Sequence, residues 1–136
     1  MQSGMKSLIY ISRRTGLPAE LGDEVSDIVT VARSRNPKLG VTGALIATPL
    51  HFAQVLEGTE AALKELMDSI LRDKRHFITA LADLEPKPRR DFAEWSLAYH
   101  GDSNYVSTTL ADAVAAPEFE QGGHVEQILA LIHMFA

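Results

Sequence analysis

The sequence predicts an α+β domain in which two helices cover one face of a five-stranded sheet. Three observations predict this class: short β-branched runs alternate with stretches of helical periodicity, the elements follow the order βαββαββ, and the chain has 136 residues. Crossovers in such an order are right-handed, so both helices lie on the same face of a single sheet. We therefore expect the ferredoxin-like arrangement, with C-terminal helices that cap the other face.

The first half of the chain predicts a strand followed by a helix. Residues 6–12 form a short apolar and β-branched run that stops at polar residues, as is typical of a strand. From Leu21 onward the apolar residues recur at helical spacing, with acidic residues in the favourable first turn. Asn36 and Pro37 are expected to end this helix, because a proline removes a backbone donor.

A hairpin and a second helix are predicted next. Residues 41–47 and 51–57 flank a short turn that contains proline. Thr59 is a suitable N-cap, and the apolar residues between positions 63 and 71 follow the spacing of an amphipathic helix. This segment completes a second strand-to-helix connection.

The remainder of the chain predicts two strands and two helices. Residues 76–84 form the fourth strand, residues 85–90 a basic turn with prolines, and residues 92–99 a fifth strand with the only tryptophan. Two further helices are expected over residues 108–116 and 125–135, separated by Pro117, Gly122 and Gly123. Helices in this position can cover the face of the sheet that would otherwise be exposed.

Composition and charge limit the classes of function. A chain of this length forms one domain that buries roughly two-thirds of its unfolded surface. It has no cysteine, which excludes disulfides, thiolate metal sites and thiol nucleophiles and fits a reducing compartment. A net charge of −5 argues against nucleic acid as a partner, because that interaction requires a clustered basic face. The apolar run at residues 8–11 is too short for a signal peptide or membrane span, so we expect a cytoplasmic protein without membrane contact.

Two polar residues in the predicted sheet are candidates for a buried site. Strand residues two apart share a face, so Gln54 lies between apolar Phe52 and Leu56. In the ferredoxin-like order the first strand pairs with this strand, and Tyr10 can face Gln54. An unsatisfied buried amide costs about 1 to 3 kcal/mol, so Gln54 requires partners. The alternatives are a glutamine bonded to backbone or water and a tyrosine whose hydroxyl reaches water.

Two further features allow either a structural or a binding role. Asn36 can simply terminate its helix, or it can project over the sheet near the gap between the helices. The charged run at residues 72–76 can be a solvated helix end, or it can contact a phosphate or ribityl group. The five histidines lack paired ligand spacing, so we predict no metal site, and no Rossmann, P-loop or nucleophile-elbow motif is present.

Several motifs of this chain together resemble the BLUF family, sensors of blue light using FAD. The resemblance covers about residues 6–100. It is carried by the segments LIYIS (residues 8–12), NPKLGVTGAL (36–45), FAQVLEG (52–58), DKRH (73–76) and WS (95–96). The order and separation of these motifs, rather than any one of them, make the resemblance specific.

The resemblance implies an FAD cofactor whose isoalloxazine ring lies between the two helices. Ile28 and Ile70 would sandwich the ring, Asn36 would bind its carbonyl and N3 edge, and Gln54 would bridge Tyr10 and the flavin. Residues implied to contact the cofactor are Tyr10, Ile28, Arg35, Asn36, Gln54, Ser69, Ile70, Asp73, Arg75 and His76. Ser69 departs from the family pattern, because many members carry a basic residue there.

The resemblance also implies a light-driven reaction. Light drives electron and proton transfer from Tyr10 through Gln54, and the amide of Gln54 is then rotated or tautomerised. Either outcome exchanges hydrogen-bond donors for acceptors. Trp95 and Leu97 are the implied relay residues, and Leu97 stands where the family commonly has methionine, which removes a sulfur acceptor and some flexibility.

The expected organisation is a sensor domain over residues 1–100 and a helical extension over residues 101–136. We expect no catalytic output domain in the chain, so the signal would pass to an unidentified partner protein or through a homo-oligomer. Two alternatives belong to other classes. One is a light-insensitive ferredoxin-like module that binds a ligand or a protein. The other is an acyl-phosphate hydrolase that uses Arg13 or Arg14 with Asn36.

Overall fold

The computed structural model describes residues 4–115 and 123–136, and within them the chain forms five strands and four α-helices. The elements are β1 (Met5–Arg14), α1 (Leu21–Leu39), β2 (Thr42–Ala47), β3 (His51–Thr59), α2 (Glu60–Arg72), β4 (His76–Lys87), β5 (Trp95–His100), α3 (Asn104–Ala115) and α4 (Gly123–Phe135). A short 3₁₀ turn, Pro18–Glu20, leads into α1. Pro117 and Gly122, expected to separate the last two helices, lie outside the described residues.

The strands form one sheet in the order β4-β1-β3-β2-β5. The pairs β1–β4, β1–β3 and β3–β2 are antiparallel, whereas β5 lies parallel to β2 at the edge. This topology confirms the predicted α+β, ferredoxin-like class. It also places Tyr10 directly opposite Gln54 in the β1–β3 register.

Both faces of the sheet are covered, which explains why β3 is buried along almost its whole length. Successive strand residues point to opposite faces, so each strand supplies two separate cores. On the face covered by α1 and α2, the sheet contributes Leu8, Tyr10, Leu45, Phe52 and Leu56. On the face covered by α3 and α4, it contributes Ile9, Ile11, Ala44, Ile46 and Val55.

The predicted end of the first helix was wrong. Asn36 and Pro37 lie inside α1, which continues to Leu39. The helix ends at Gly40, whose positive φ of 71° places it in the left-handed region, where glycine carries no steric penalty. Its N–H bonds to the carbonyl of Pro37 at 3.1 Å, and the N–H of Val41 bonds to the carbonyl of Asn36 at 2.9 Å.

The boundaries of the last strands also differ from the prediction. β4 continues through the expected turn to Lys87, because Met5 of the long β1 pairs with it there. Pro86 is tolerated because β4 is an edge strand. β5 begins at Trp95 rather than at residue 92, and α3 begins at Asn104 rather than at residue 108.

The N-cap prediction for the second helix was confirmed. The hydroxyl of Thr59 accepts a hydrogen bond from the backbone N–H of Ala62 at 3.2 Å, which satisfies one free donor of the first turn of α2. Across the described residues, no helix is both long enough and apolar enough to cross a membrane.

Candidate functional site

A cavity of about 290 Å³ lies between α1, α2 and the helix-covered face of the sheet. Its volume is near the lower end of the range for small-molecule pockets, about 300 to 1,000 Å³. It is lined by Tyr10, Ile28, Val31, Ala32, Arg35, Leu45, Phe52, Gln54, Ser69, Ile70, Arg72, Asp73, Arg75 and His76. Nine of the ten residues expected to bind the cofactor are in this lining, and Asn36 is the exception.

A larger cavity, of about 540 Å³, lies between α2 and the strands β1 and β4. Its walls are mainly apolar, from residues such as Leu63, Met67 and Ile78, and none of the predicted site residues lines it. Because orientation and chemistry require convergent polar groups, we assign the functional site to the smaller cavity.

A buried chain of hydrogen bonds joins Tyr10, Gln54 and Trp95 behind the cavity. The amide nitrogen of Gln54 donates to the Tyr10 hydroxyl oxygen at 2.6 Å, and the indole N–H of Trp95 donates to the Gln54 amide oxygen at 2.7 Å. An indole nitrogen can only donate, so Trp95 fixes which end of the amide faces it. The orientation of Gln54 therefore follows from hydrogen-bond chemistry.

Burial keeps the Tyr10 phenol protonated. Only 2% of Tyr10 is exposed, and desolvation raises the pKa of its hydroxyl well above the ordinary value of about 10. The hydrogen bond from Gln54 and the charge of Arg35 oppose this effect but do not outweigh it. Tyr10 is thus a neutral phenol with its proton in place.

Asn36 is completely buried, and one end of its amide lacks a partner. Its Oδ1 accepts a hydrogen bond from Arg35 Nε at 3.0 Å, whereas its Nδ2 has no hydrogen-bond partner among the described residues. Such a group is costly unless something else supplies an acceptor. Arg35 lines the cavity and Asn36 does not, so Asn36 lies just behind the cavity wall.

Two isoleucines bring apolar surface to the cavity from opposite helices. Ile28 lies on α1 and Ile70 on α2, and both are partly buried in the lining. Ser69 lines the cavity next to Ile70 and contributes no charge. This arrangement suits a flat aromatic ring held between two helices.

Asp73 and Arg75 form a paired charge in the cavity lining. The Arg75 Nε donates to Asp73 Oδ1 at 2.9 Å, and its Nη2 donates to Asp73 Oδ2 at 2.6 Å. A second carboxylate oxygen, Asp27 Oδ2, lies 4.0 Å from Arg75 Nη1. Burial would raise the pKa of Asp73, but the hydrogen bonds from Arg75 outweigh it and lower that pKa. The same hydrogen bond raises the pKa of Arg75, so both groups stay charged.

His76 closes the same part of the cavity as a neutral imidazole. Its Nδ1 lies 2.6 Å from the Ser12 hydroxyl oxygen, and its ring meets Phe52 edge to face at 5.5 Å between centroids. Desolvation lowers the pKa of His76 below the ordinary histidine value.

The predicted relay residues lie behind Gln54, outside the cavity lining. Trp95 is 6% exposed and belongs to the core under α1 and α2, and Leu97 packs against the same core. In the β2–β5 pairing, Trp95 is opposite Gly43 and Leu97 is opposite Leu45. Gln54 is therefore in direct contact with the edge strand through the indole of Trp95.

Sequence reasoning missed five residues of the lining, although most of them left a signal. Leu45 is the cross-strand neighbour of Gln54, and Phe52 shares its face. Val31 and Ala32 lie one helical turn beyond Ile28, and this spacing could have revealed them. Arg72 was part of the charged run at the end of α2 without being assigned to the site.

The structure does not favour the phosphate-binding alternative. The side chain of Arg14 is fully buried, its Nε donates to Glu24 at 2.9 Å, and its Nη1 and Nη2 donate to the carbonyls of Pro49 and Leu17. These contacts leave little of the guanidinium for a substrate. No group of three or more potential metal-ligating side chains is found among residues 4–115 and 123–136.

Fold and site together define a small α+β domain with a cavity whose wall holds a buried, hydrogen-bonded group of polar side chains. A family model described as "Sensors of blue-light using FAD" matches residues 5–98, and the chain belongs to this family, BLUF. It is therefore a blue-light sensor of the flavin-binding type, as its motifs indicated.

Similar proteins include light-regulated signalling proteins. The photoactivated adenylate cyclase subunit beta of Euglena longa is 34% identical over 96 residues, 70% of this chain and 11% of that protein. The blue light- and temperature-regulated antirepressor BluF of Escherichia coli (strain K12) is 35% identical over 88 residues, 62% of this chain and 21% of that protein. The chain thus spans only a small part of these relatives.

Solved structures support the same fold. The dark-state structure of BlrB, a BLUF protein, has a TM-score of 0.66 at 29% identity and covers 91% of this chain and 95% of that chain. The ground state of BlsA has a TM-score of 0.70 at 23% identity, with 94% and 87% covered, and is similar in fold.

Proposed function

We propose that the cavity holds FAD and that Gln54 converts the absorption of blue light into a change at β5. The observation that carries this proposal is the amide of Gln54, which is bonded at one end to Tyr10 and at the other to Trp95. A single reorganisation of that amide alters both contacts. When bound, the flavin absorbs blue light and becomes an electron acceptor.

Several features of the cavity fit a flavin. The Nδ2 of Asn36 lacks a partner among the described residues, and a ring carbonyl bound next to its neighbour Arg35 would supply an acceptor. Ile28 and Ile70 offer apolar surfaces for the two faces of a ring, and the charged Asp73–Arg75 pair suits a polar edge or a ribityl tail. Because the cavity is small, we expect it to enclose the ring and to leave the rest of the dinucleotide outside.

Tyr10 is the electron and proton donor in this proposal. In the dark its oxygen accepts a hydrogen bond from Gln54. Loss of an electron makes a phenol much more acidic and its oxygen a much weaker acceptor. The electron would go to the bound flavin and the proton would leave through Gln54, and both return to Tyr10 when the charges recombine. The restored phenol O–H then donates to an acceptor on the reorganised Gln54 in place of accepting from its N–H.

The response of Gln54 disrupts its bond to Trp95. Rotation of the amide brings its NH₂ group toward the indole, and tautomerisation converts its oxygen into an O–H group. After rotation a donor faces the donor-only nitrogen of Trp95, and two donors cannot pair; after tautomerisation the Gln54 oxygen can still accept from the indole, but as a hydroxyl it is a weaker acceptor than an amide carbonyl. The hydrogen bond to Trp95 is thereby lost on rotation and weakened on tautomerisation, and β5 receives the signal through Trp95 and its neighbour Leu97.

We propose that this chain acts in the cytoplasm as a photosensory module without catalysis of its own. Residues 1–100 form the sensor and residues 101–136 a helical extension that carries the signal to a partner protein or across a homo-oligomer. In support, α3 and α4 share a core with the face of the sheet opposite the cavity. The similar light-regulated cyclase subunit and antirepressor support this proposal, because the matched region is a small part of each protein and the output there can lie in other domains or partner proteins.

An absorption experiment tests the proposal. Protein loaded with FAD is expected to show a small, reversible red shift under blue light, and loading with FMN shows whether the cavity selects FAD. Tyr10→Phe is expected to abolish the shift, whereas Tyr105→Phe, at an exposed position on α3, leaves it intact. A wild-type protein that binds no flavin or shows no shift would instead support a light-insensitive binding module.

A further inference from the structure

Glu57 is a buried carboxylate that the light reaction described above does not use. Only 1% of it is exposed, and it lies three residues after Gln54 on β3, so its side chain points to the opposite face of the sheet. Its oxygens accept hydrogen bonds from the backbone N–H groups of Asp91 at 2.7 Å and Phe92 at 3.0 Å. The Thr42 hydroxyl donates a third, at 2.9 Å.

Arg90 reinforces the same attachment. Its guanidinium donates to the Thr42 hydroxyl at 2.9 Å, to the backbone carbonyl of Glu57 at 3.1 Å and to that of Gly40 at 2.8 Å. A buried carboxylate is costly unless its oxygens are hydrogen-bonded, and bonds to a charged acceptor are about twice as strong as neutral ones. The segment that enters β5 is thus tied firmly to the ends of β2 and β3.

This attachment matters because β5 by itself specifies its position weakly. It is a six-residue edge strand that pairs with β2 alone. Its register on β2 shifts between Leu45 and Ile46, so the ladder is irregular in the middle. An edge strand has hydrogen-bond partners on one side only, and an external anchor at the start of the strand adds contacts that fix its position.

The anchored segment leads directly to the photochemical site. Trp95, the first residue of β5, lies only three residues beyond Phe92, and its indole N–H bonds to Gln54. β3 therefore contacts the same stretch of chain at two points and from opposite faces. Glu57 binds the backbone of Asp91 and Phe92, and Gln54 binds the indole of Trp95.

We propose that Glu57 is a positioning residue for the light response, because it fixes where β5 begins and thereby holds the Trp95 indole against Gln54. This inference rests on the proposed function of the Gln54–Trp95 contact. The role of Glu57 is indirect, since its carboxylate bonds to the backbone before β5 and to Thr42, not to Gln54 or Trp95.

The test uses the fluorescence of Trp95, which is the only tryptophan of the chain. Glu57→Gln keeps the size of the side chain but replaces an acceptor oxygen with a donor, so one backbone N–H loses its partner. In flavin-loaded protein kept in the dark, this variant is expected to show Trp95 emission at longer wavelength and stronger quenching by acrylamide. The light-induced change in Trp95 emission is expected to be lost.

Phe92→Leu is the matched control. It retains both N–H groups that bind Glu57, and it weakens only the packing of Phe92, whose ring stacks on His133 of α4 with 4.9 Å between centroids. The melting temperature of each variant is measured, so that its change in Trp95 emission can be compared with its loss of stability. If Phe92→Leu loses as much stability as Glu57→Gln but keeps native Trp95 emission, the positioning role is supported.

Two outcomes would overturn the inference: unchanged Trp95 emission in Glu57→Gln, or an equal change in Phe92→Leu. Should Glu57→Gln fail to fold, Thr42→Val removes one donor to the carboxylate and is expected to change Trp95 emission in the same direction. The dark measurements do not depend on photochemistry. Failure of the proposed function is recognised separately, by the absence of a red shift in the wild-type protein.

Discussion

The hydroxyl of Tyr10 and the amide of Gln54 are direct cross-strand neighbours joined by a 2.6 Å hydrogen bond. The bond lies in the wall of the cavity between α1 and α2, where water is excluded from the tyrosine. Because Trp95 occupies the other end of the same amide, the three side chains respond as one unit.

Gln54→Leu is expected to abolish the light-induced red shift and to destabilise the protein. The variant leaves the buried indole N–H of Trp95 without an acceptor, which costs about 1 to 3 kcal/mol in the free energy of unfolding. Chemical denaturation measures this loss. Adding Trp95→Phe to Gln54→Leu is expected to recover part of it, because removing both partners is less costly than removing one. Additive losses would show that the hydrogen bond is not formed.

Leu97→Met is expected to enlarge the light-induced change in Trp95 fluorescence. Methionine has a similar volume but adds a flexible thioether acceptor beside the cavity wall, so the fold is retained at a cost below about 1.5 kcal/mol. Leu63→Met, in the core contributed by α2, is the control for a general effect of methionine. An unchanged Trp95 signal in Leu97→Met would mean that the leucine does not limit the relay.

Asn36→Leu is expected to have a small effect on the stability of the flavin-free protein and a larger effect on flavin affinity. Without flavin, the variant removes a buried N–H group that has no partner in the described structure, and we expect little loss of stability. With flavin, it removes one hydrogen bond, and affinity is expected to fall about 2- to 10-fold. Titration followed by flavin fluorescence measures the affinity. Equal affinity in variant and wild type would place Asn36 outside the flavin site.

Acidification is expected to destabilise the protein, in part through His76. Burial lowers the pKa of His76 in the folded protein. As the pH falls below about 6.5, His76 therefore binds a proton more readily in the unfolded chain than in the folded protein. The free energy of unfolding therefore falls as the pH falls. His76→Gln is expected to reduce this dependence, as measured by denaturation at about pH 7.5 and pH 5.5 with saturating flavin.

His51 provides a comparison for the same experiment. Burial and the charge of Arg13 lower its pKa as well, but it lies outside the cavity lining. His51→Gln is expected to remove its own share of the pH dependence without changing flavin affinity, and the double variant to be the least sensitive to pH. If His76→Gln retains the full wild-type dependence, His76 is not neutral in the folded protein.

Periodicity and strand parity predicted most of the fold, and the errors occurred at the ends of elements, where a second local signal or a tertiary contact set the boundary. Pro37 is a local stop signal, yet α1 continues past it to Leu39 and ends where Gly40 adopts the left-handed conformation. Residue 92 has the apolar character of a strand, yet its N–H bonds to the Glu57 carboxylate and β5 starts only at Trp95. Neither Gly40 nor Glu57 differs locally from an ordinary turn or strand residue.

The sequence by itself determined which residues of each strand share a face, because alternation along a strand is a local property, and it predicted that Tyr10 can face Gln54. It also carried the motifs that mark the family. Only the tertiary structure decided that Trp95 meets the far end of Gln54, that burial raises the pKa of Tyr10 and that Glu57 anchors the chain before β5. The physical reason is that each of these depends on contacts between residues about 40 positions apart, and these contacts exist only once both helices and the edge strand are packed.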